Sequence, residues 1–185
     1  MEEFSYTIKV PKERIAVLIG KNGETKTELE EISEARINID SVEGDVTVSG
    51  SDAIKLYTIR EVIKAVARGF SPDVAKVLLK QDSVYEQINI SDFAKNKNHL
   101  PRLKGRVIGT EGKSRQTIEE LSEASVCVYG KTIGVIGKPE NVDIARRAVE
   151  SILAGSPHAN VYKWLEKKRR EFKRAEFETR DDTGF

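Results

Sequence analysis

The segment VLIGKNGETKTELEEISEARINI at residues 17–39 recurs as RVIGTEGKSRQTIEELSEASVCV at residues 106–128. Each copy carries a Gly-x-x-Gly turn near its start, and the first glycine of the first turn, Gly20, is followed 89 residues later by Gly109. Apolar and small residues match at the same spacing after each turn. A duplication of this length predicts two copies of one domain, because internal repeats mark repeated structural units.

Composition limits the classes of protein to consider. The chain has 185 residues, 33% of them charged, but a net charge of only +1, so any basic surface must be local. The single Cys127 excludes an internal disulfide, and His99 and His158 are too far apart in sequence for zinc-ligand spacing. We therefore expect no cofactor and no metal. Without a long apolar run or a signal peptide, we also expect a soluble, cytoplasmic protein with no membrane partner.

The first copy alternates helical and strand patterns. The predicted elements are a strand over 4–10, helices over 12–19 and 24–33, strands over 36–40 and 45–49, and a helix over 53–67 that Ser51 or Asp52 caps. Leu29 and Ile32 are predicted to face inward from the second helix. The predicted apolar stripe of the long helix is Ile54, Ile59, Val62, Ile63 and Val66.

The second copy repeats this order. Its predicted elements are a strand over 85–90, helices over 100–108 and 113–121, strands over 126–129 and 132–136, and a helix over 140–154. A short amphipathic segment follows each long helix, over 74–80 and over 161–175. We predict an α+β chain with domains at residues 1–80 and 81–175, followed by a loose tail at 176–185.

The Gly-x-x-Gly turn by itself has several interpretations. It can be a plain corner between helices, where glycine supplies a positive φ. A phosphate-binding P-loop is excluded, because Thr25 stands where a glycine must precede the lysine, and because the turn follows a helix. A helix-hairpin-helix corner on duplex DNA stays a minor alternative, although the strands and third helix of each copy are surplus to that motif.

Both copies resemble the KH domain. Its Ile-Gly-x-x-Gly core, with apolar residues at set spacings and a small-residue corner before the next strand, is matched at 19–23 and again at 108–112. The resemblance covers roughly residues 4–70 and 84–155. One strand before each turn is similar to the type I arrangement. It implies two tandem type I KH domains, each a three-stranded antiparallel sheet packed by helices, each with an extra C-terminal helix.

The resemblance implies that each turn binds the backbone of single-stranded RNA, next to a groove for about four nucleotides. Ala16 and Gly105, four residues before each first glycine, are the small residues that such an approach needs. The expected RNA-binding residues of the first domain are Ala16, Ile19, Gly20, Lys21, Asn22, Gly23 and Lys26. Those of the second are Arg102, Lys104, Gly105, Arg106, Ile108, Gly109, Thr110, Glu111, Gly112, Lys113, Ser114 and Arg115. No catalytic residue is predicted.

Two departures from the KH pattern bear on RNA choice. Lys26 and Arg115 stand three residues after the second glycine, where most KH domains have an aliphatic residue. Our hypothesis is that both cations reach the bound strand, while the alternative is that their stems only cover the core. Glu111 lies inside the second turn and should repel phosphate. The basic run Lys167 to Arg170 either contacts RNA or solvates a helix face.

Among tandem KH proteins, the chain resembles the archaeal Dim-two and partner-of-NOB-one family, with its Krr-one-like cousins. The likeness rests on a compact two-KH chain, the cation after each turn and the Ser-Pro ending after each third helix. It implies binding to small-subunit (16S) ribosomal RNA near its 3′ end during assembly, by a monomer, beside a pre-rRNA nuclease and translation initiation proteins. The alternatives are an RNA-binding subunit of a degradation complex, similar to the exosome cap, and a regulator of messenger RNA.

Overall fold

The computed structural model describes the backbone of residues 4–181 and the side chains of residues 4–175. The chain divides into two compact units, with the boundary between Tyr85 and Glu86, two residues inside the first strand of the second sheet. The boundary expected from the sequence, between residues 80 and 81, lies five residues earlier. Each unit is an α+β domain around its own sheet, as the repeat predicts.

The first unit follows the order predicted for it. Its strands are β1 (Phe4–Lys9), β2 (Arg36–Asp40) and β3 (Asp45–Gly50), and its helices are α1 (Lys12–Ile19), α2 (Glu24–Ser33), α3 (Ala53–Ala67) and the short α4 (Pro72–Ala75). A 3-10 helix at Lys76–Leu79 continues α4. Asp52 caps α3, accepting hydrogen bonds from the backbone N–H groups of Ile54 at 2.9 Å and Lys55 at 3.1 Å.

The second unit repeats the arrangement. Its strands are β4 (Val84–Asn89), β5 (Ser125–Tyr129) and β6 (Thr132–Gly137), and its helices are α5 (His99–Ile108), α6 (Lys113–Ser122), α7 (Pro139–Leu153) and α8 (His158–Asp181). A 3-10 helix at Ile90–Phe93, which the sequence did not predict, follows β4.

Each sheet has three antiparallel strands with the last of them in the centre. The orders are β1-β3-β2 and β4-β6-β5. In the first sheet Ile8 and Ile39 both pair with Val46, which fixes a register that points the alternate residues of β3 at the helices. Val46 and Val48 are therefore fully buried. This topology leaves β2 and β5 as edge strands beside α2 and α6.

Two predicted core positions are wrong. Ile32 is exposed, and Ser33 lies buried in its place beside Leu29. Ser33 tolerates burial because its hydroxyl donates to the Leu29 carbonyl at 2.6 Å, and Ser122 makes the matching bond in the second unit. Ile54 is 80% exposed, because it lies in the first turn of α3, and Leu56 enters the core instead.

The last helix is longer than predicted. The backbone of residues 176–181 continues α8 and is not a loose tail, and residues 182–185 lie outside the described residues. The continuation has a simple cause, since residues 176–181, EFETRD, include helix-forming Glu and Arg residues and no Gly or Pro. Within residues 4–181, no helix combines the length and apolar composition needed to cross a bilayer.

Candidate nucleic-acid interface

The Gly-x-x-Gly turn of the first unit joins α1 to α2 through three residues with positive φ. Gly20 has φ 76° and ψ 177°, Asn22 has φ 54°, and Gly23 has φ 82°. The second turn has the same backbone, with φ 73° at Gly109 and φ 53° at Glu111. Two turns of different sequence thus adopt one conformation. The glycines adopt positive φ easily, whereas the non-glycine residue at the centre of each turn adopts the left-handed region at some cost in free energy.

The first glycine of each turn is required by packing inside the protein. A Cβ on Gly20 would lie 2.8 Å from the backbone N of Thr25, and a Cβ on Gly109 would lie 2.7 Å from the backbone N of Ser114. These neighbours are backbone atoms in the first turn of the next helix and cannot rotate away. The close approach turns the chain sharply enough for that helix to begin.

The second glycine of each turn faces open space. A Cβ on Gly23 or Gly112 would meet nothing within 4 Å, although both have the left-handed conformation. Each is the N-cap of α2 or α6, and no side chain caps either helix. The N–H of Glu24 already donates to the Lys21 carbonyl, and that of Lys113 to the Thr110 carbonyl, so the feature that favours an anion at each helix end is the helix dipole.

The helix before each turn presents a small, exposed residue. Ala16 and Gly105 are exposed, and their carbonyls accept the N–H of Gly20 at 3.0 Å and of Gly109 at 2.8 Å. A Cβ at Gly105 would meet nothing within 4 Å. The surface of this helix therefore has room for a ligand backbone up to the turn.

Other predicted contact residues surround the turns at different depths. Lys21, Asn22, Arg102, Ile108, Thr110, Glu111 and Lys113 are exposed, while Ile19, Gly20, Gly23, Lys26, Lys104, Gly109, Gly112 and Arg115 are half-buried. The exposed set includes the two central residues of each turn. These residues are available to a ligand without any movement of the protein.

Lys26 belongs to a small network that the sequence did not predict. Its Nζ lies 3.8 Å from the Glu30 carboxylate, and the same carboxylate accepts the backbone N–H of Ile37 at 2.7 Å. Ile37 is in β2, the edge strand, so Glu30 satisfies a polar group that would otherwise be unpaired. The cation is thereby held at the edge of the sheet.

Arg115 repeats this network in the second unit with tighter geometry. It donates to the Glu119 carboxylate at 2.7 Å and to the carbonyl of Val126 at 3.4 Å, while Glu119 accepts the Val126 N–H at 2.7 Å. Glu30 and Glu119 stand 89 residues apart, the spacing of the repeat. That shared glutamate was the signal in the sequence that could have revealed both networks.

Two predicted contact residues lie elsewhere. Arg106 donates to the carbonyls of Ile152 at 3.1 Å and Ser156 at 2.7 Å, so its guanidinium holds the end of α7. Ser114 is 3% exposed, because it packs beneath Gly109. We leave both out of the contact set. Arg14 makes the equivalent bonds in the first unit. Its guanidinium donates to the carbonyl of Val66 in α3 and to that of Phe70 just after this helix.

Arg106 and Arg102 should therefore separate stability from binding. Replacing Arg106 by Ala removes two charge-assisted hydrogen bonds to half-buried carbonyls and should lower the free energy of unfolding by about 2 kcal/mol. Replacing the exposed Arg102 by Ala should change it by less than about 0.5 kcal/mol. Urea denaturation of both variants measures the difference, and equal losses would contradict the structural role given to Arg106.

The two turns differ in charge. The central residues are Lys21-Asn22 in the first and Thr110-Glu111 in the second. Glu111 lies 3.7 Å from the Nζ of Lys113, and both side chains are more than 70% exposed, so the ion pair is weak and screened. The second turn thus has an acid, Glu111, at its centre and Lys113 as the first residue of its helix, whereas the first has Asn22 at its centre and Glu24 as the first residue of its helix.

A sheet of three antiparallel strands packed by helices, with a Gly-x-x-Gly turn between the first two helices and present twice, defines a tandem type I KH-domain protein. A model described as "KH domain" matches residues 5–65, and one described as "Eukaryotic type KH-domain (KH-domain type I)" matches residues 84–170. The chain belongs to the KH-domain family of archaeal Dim2p and eukaryotic PNO1.

Relatives along most of the chain support this assignment. A KH domain-containing protein of Methanocaldococcus jannaschii is 45% identical over 175 residues, which are 92% of this chain and 77% of that protein. The crystal structure of an a/eIF2alpha-aDim2p-rRNA complex from Pyrococcus horikoshii OT3 contains a chain that is 43% identical, with a TM-score of 0.86. The alignment covers 91% of this chain and 96% of that one.

The eukaryotic relatives are longer. The pre-rRNA-processing protein PNO1 of Coccidioides immitis is 36% identical over 133 residues, which are 70% of this chain and 52% of that protein. The chain thus spans about half the length of the PNO1 proteins it matches.

Proposed function

We propose that this protein binds a single strand of ribosomal RNA through its two Gly-x-x-Gly turns and acts in maturation of the small ribosomal subunit. The observation that carries the proposal is the second glycine of each turn, with left-handed backbone, open space above it and an uncapped helix behind it. A phosphate placed in that open space would lie at the positive end of the helix dipole, beside backbone that glycine leaves accessible.

A strand bound at the turn would run over the small residue of the preceding helix. Ala16 and Gly105 leave room for the sugar–phosphate chain, and the bases would then face the groove beside the edge strand. Lys26 with Glu30, and Arg115 with Glu119, offer a donor beside an acceptor at this edge. Such a pair suits recognition of a base edge, because bases present donors and acceptors side by side.

The relatives indicate which RNA and which partners to test. The Pyrococcus Dim2p was crystallised with rRNA and a/eIF2alpha, and PNO1 is named for pre-rRNA processing. For this protein we propose the 3′ end of 16S rRNA as the target, with the α subunit of initiation factor 2 and a pre-rRNA nuclease as protein partners. We also propose that it acts as a monomer without a catalytic step of its own.

Binding of defined oligonucleotides tests this proposal. We expect fluorescence anisotropy to show tighter binding to a single-stranded fragment of the 16S 3′ end than to a scrambled strand or to the same sequence as a duplex. Affinity should fall with salt, as phosphate contacts require. Preference for the duplex would contradict the proposal and favour the helix-hairpin-helix alternative.

Crosslinking in the source cell, followed by RNA sequencing, identifies the natural target. We expect reads concentrated near the 3′ end of small-subunit rRNA. Reads spread over messenger RNAs without that peak would contradict the rRNA assignment and favour a regulator. Co-purification with subunits of an RNA-degrading complex would favour the exosome-cap alternative.

The central residue of each turn should tune RNA affinity in opposite directions. Glu111→Asn removes a negative charge beside the phosphate and installs the residue that the first turn has at this place. Asn also tolerates positive φ, so the backbone is kept. We expect affinity to rise about fivefold, and the reciprocal Asn22→Glu to lower it by a similar factor.

The control for this swap is Glu120→Asn, the same chemical change at an exposed position of α6 outside the turn. It should leave affinity unchanged at 150 mM salt, where charges beyond about 8 Å are screened. An equal gain in Glu120→Asn would mean that only net charge matters, and that Glu111 has no particular place in the interface.

A further inference from the structure

Residues 163–174 of α8 are the most basic segment of the protein, and they belong to neither Gly-x-x-Gly turn. Residues 163–174 contain seven Lys and Arg residues against two Glu, although the whole chain has a net charge of only +1. Such a concentration of charge in one helix creates a local positive potential that the rest of the chain does not share. This part of α8 can therefore attract an anionic ligand.

An open groove of about 410 Å³ lies along this helix, between α8 and α6. Its lining is Leu121, Glu166, Arg169, Arg170 and Lys173. The four residues from α8 are spaced i, i+3, i+4 and i+7, so they share one face of the helix. Three cations against one acid give the groove a positive lining.

The cations of the groove are incompletely satisfied by the protein. The Nε of Arg169 is buried and has no hydrogen-bond acceptor among the described residues, and the Glu123 carboxylate is 3.9 Å away. Arg170 uses its Nε on the backbone carbonyl of Glu166 at 3.3 Å, which leaves the rest of its guanidinium for other contacts. A buried donor without an acceptor is costly, and a bound anion would remove that cost.

The remaining acid of this part of the helix is already engaged. Lys168 donates to Glu171 at 2.7 Å, and this bond holds the pKa of the Glu171 carboxyl below its usual range. Lys167 lies 3.9 Å from the same carboxylate. Glu171 therefore offsets one of the two lysine charges outside the groove, while Arg169, Arg170 and Lys173 supply the positive charge of the groove lining.

We propose that the α6–α8 groove binds the phosphate backbone of the same RNA, outside the nucleotides held by the KH turn of the second domain. Arg169, Arg170 and Lys173 would contact phosphates, with Arg169 as the planar, two-pronged donor that phosphate oxygens suit. This inference rests on the proposed function, because the turn defines where the strand enters.

The distance between the two sites is short enough for one strand. Eight residues of α6 separate Lys113, next to the turn, from Leu121 in the groove, which is about 12 Å along a helix axis. A few nucleotides can cover this span. The groove would thus extend the strand's contact with the protein without requiring a new sequence to be read.

The test compares two RNAs on the whole 185-residue chain. One is a six-nucleotide single strand that fills a KH groove, and the other has the same six nucleotides within a strand of about 20. The variant Arg169→Ala/Lys173→Ala should weaken the long RNA about tenfold and leave the short one unchanged. The slope of log affinity against log salt should fall by about 1.4 for the long RNA, the value for two lost phosphate contacts to a single strand.

The matched control is Lys138→Ala/Lys167→Ala, which removes the same charge from exposed residues that do not line the groove. It should leave both affinities unchanged, and thermal unfolding should show that both double variants are folded. Equal weakening by the control would overturn the inference in favour of diffuse charge attraction. Unchanged binding of both RNAs by Arg169→Ala/Lys173→Ala would overturn the inference as well. This holds even if the same variant loses binding to an acidic protein partner. Failure of the wild type to bind the short RNA would instead contradict the proposed function.

Discussion

Replacing Gly23 and Gly112 together by Asp should reduce the affinity for single-stranded RNA by about 100-fold or more while the protein stays folded. Both glycines have positive φ and open space above them, and Asp is one of the few residues that tolerates this backbone. The new carboxylate would stand at the N-terminus of α2 or α6, where the helix dipole favours it. It would occupy the place that we assign to a phosphate and repel the strand.

The control for this pair is Gly23→Asn/Gly112→Asn, which adds a side chain of the same shape without the charge. We expect it to weaken RNA about tenfold or less, because the phosphate loses space but meets no like charge. Anisotropy titrations of both double variants, beside a thermal unfolding curve for each, separate charge from shape. RNA affinity that survives both Asp residues would contradict binding at the turns.

Replacing Gly20 or Gly109 by Ala should instead destabilise the fold, by about 3 kcal/mol at either position. The combination of φ near 75° and ψ near 176° is a region that glycine alone adopts readily. The added Cβ would also lie within 2.8 Å of backbone in the next helix, where no side-chain rotation can relieve the contact. Each substitution should act within its own domain.

Urea denaturation measures this loss, with Gly23→Ala and Gly112→Ala as matched controls in the same turns. The controls should cost about 1 kcal/mol each, since they meet no atom and carry only the backbone penalty. Losses of equal size at both glycines of a turn would contradict the distinction. Unequal losses would show that the first glycine is needed for the fold of the turn, whereas the second leaves the surface of the turn accessible.

Much of the architecture could be predicted from the sequence, because the repeat made each element visible twice. The helix at 53–67, its Asp52 cap and the paired strands of both sheets are confirmed by the structure. The errors fall where periodicity alone is ambiguous. Ile32 and Ser33 are adjacent on the helix, and the choice between them depended on whether the serine hydroxyl could reach the Leu29 carbonyl.

The site was predicted less completely than the fold. The turns and the small residues before them are local features that a tetrapeptide and its spacing reveal. Arg106 could not be placed in this way, because its partners at Ile152 and Ser156 lie far along the chain. The sequence beside a turn is the same whether the guanidinium of an arginine there contacts a ligand or a group of the protein itself.

The two KH domains could be identified from local sequence features, because glycine spacing and apolar periodicity depend on short-range sterics and burial. Which cations are available to a ligand, in contrast, depends on contacts between residues that are distant in sequence. Lys26 and Arg115 are positioned by Glu30 and Glu119 at the sheet edge, where we propose that they meet a base, whereas Arg106 is used inside the domain. Arg169 keeps a buried donor that has no acceptor in the part of the chain that the structure describes. The reason is that folding places each charged side chain beside its partner, and the contact with that partner determines which hydrogen-bond donors remain available to RNA.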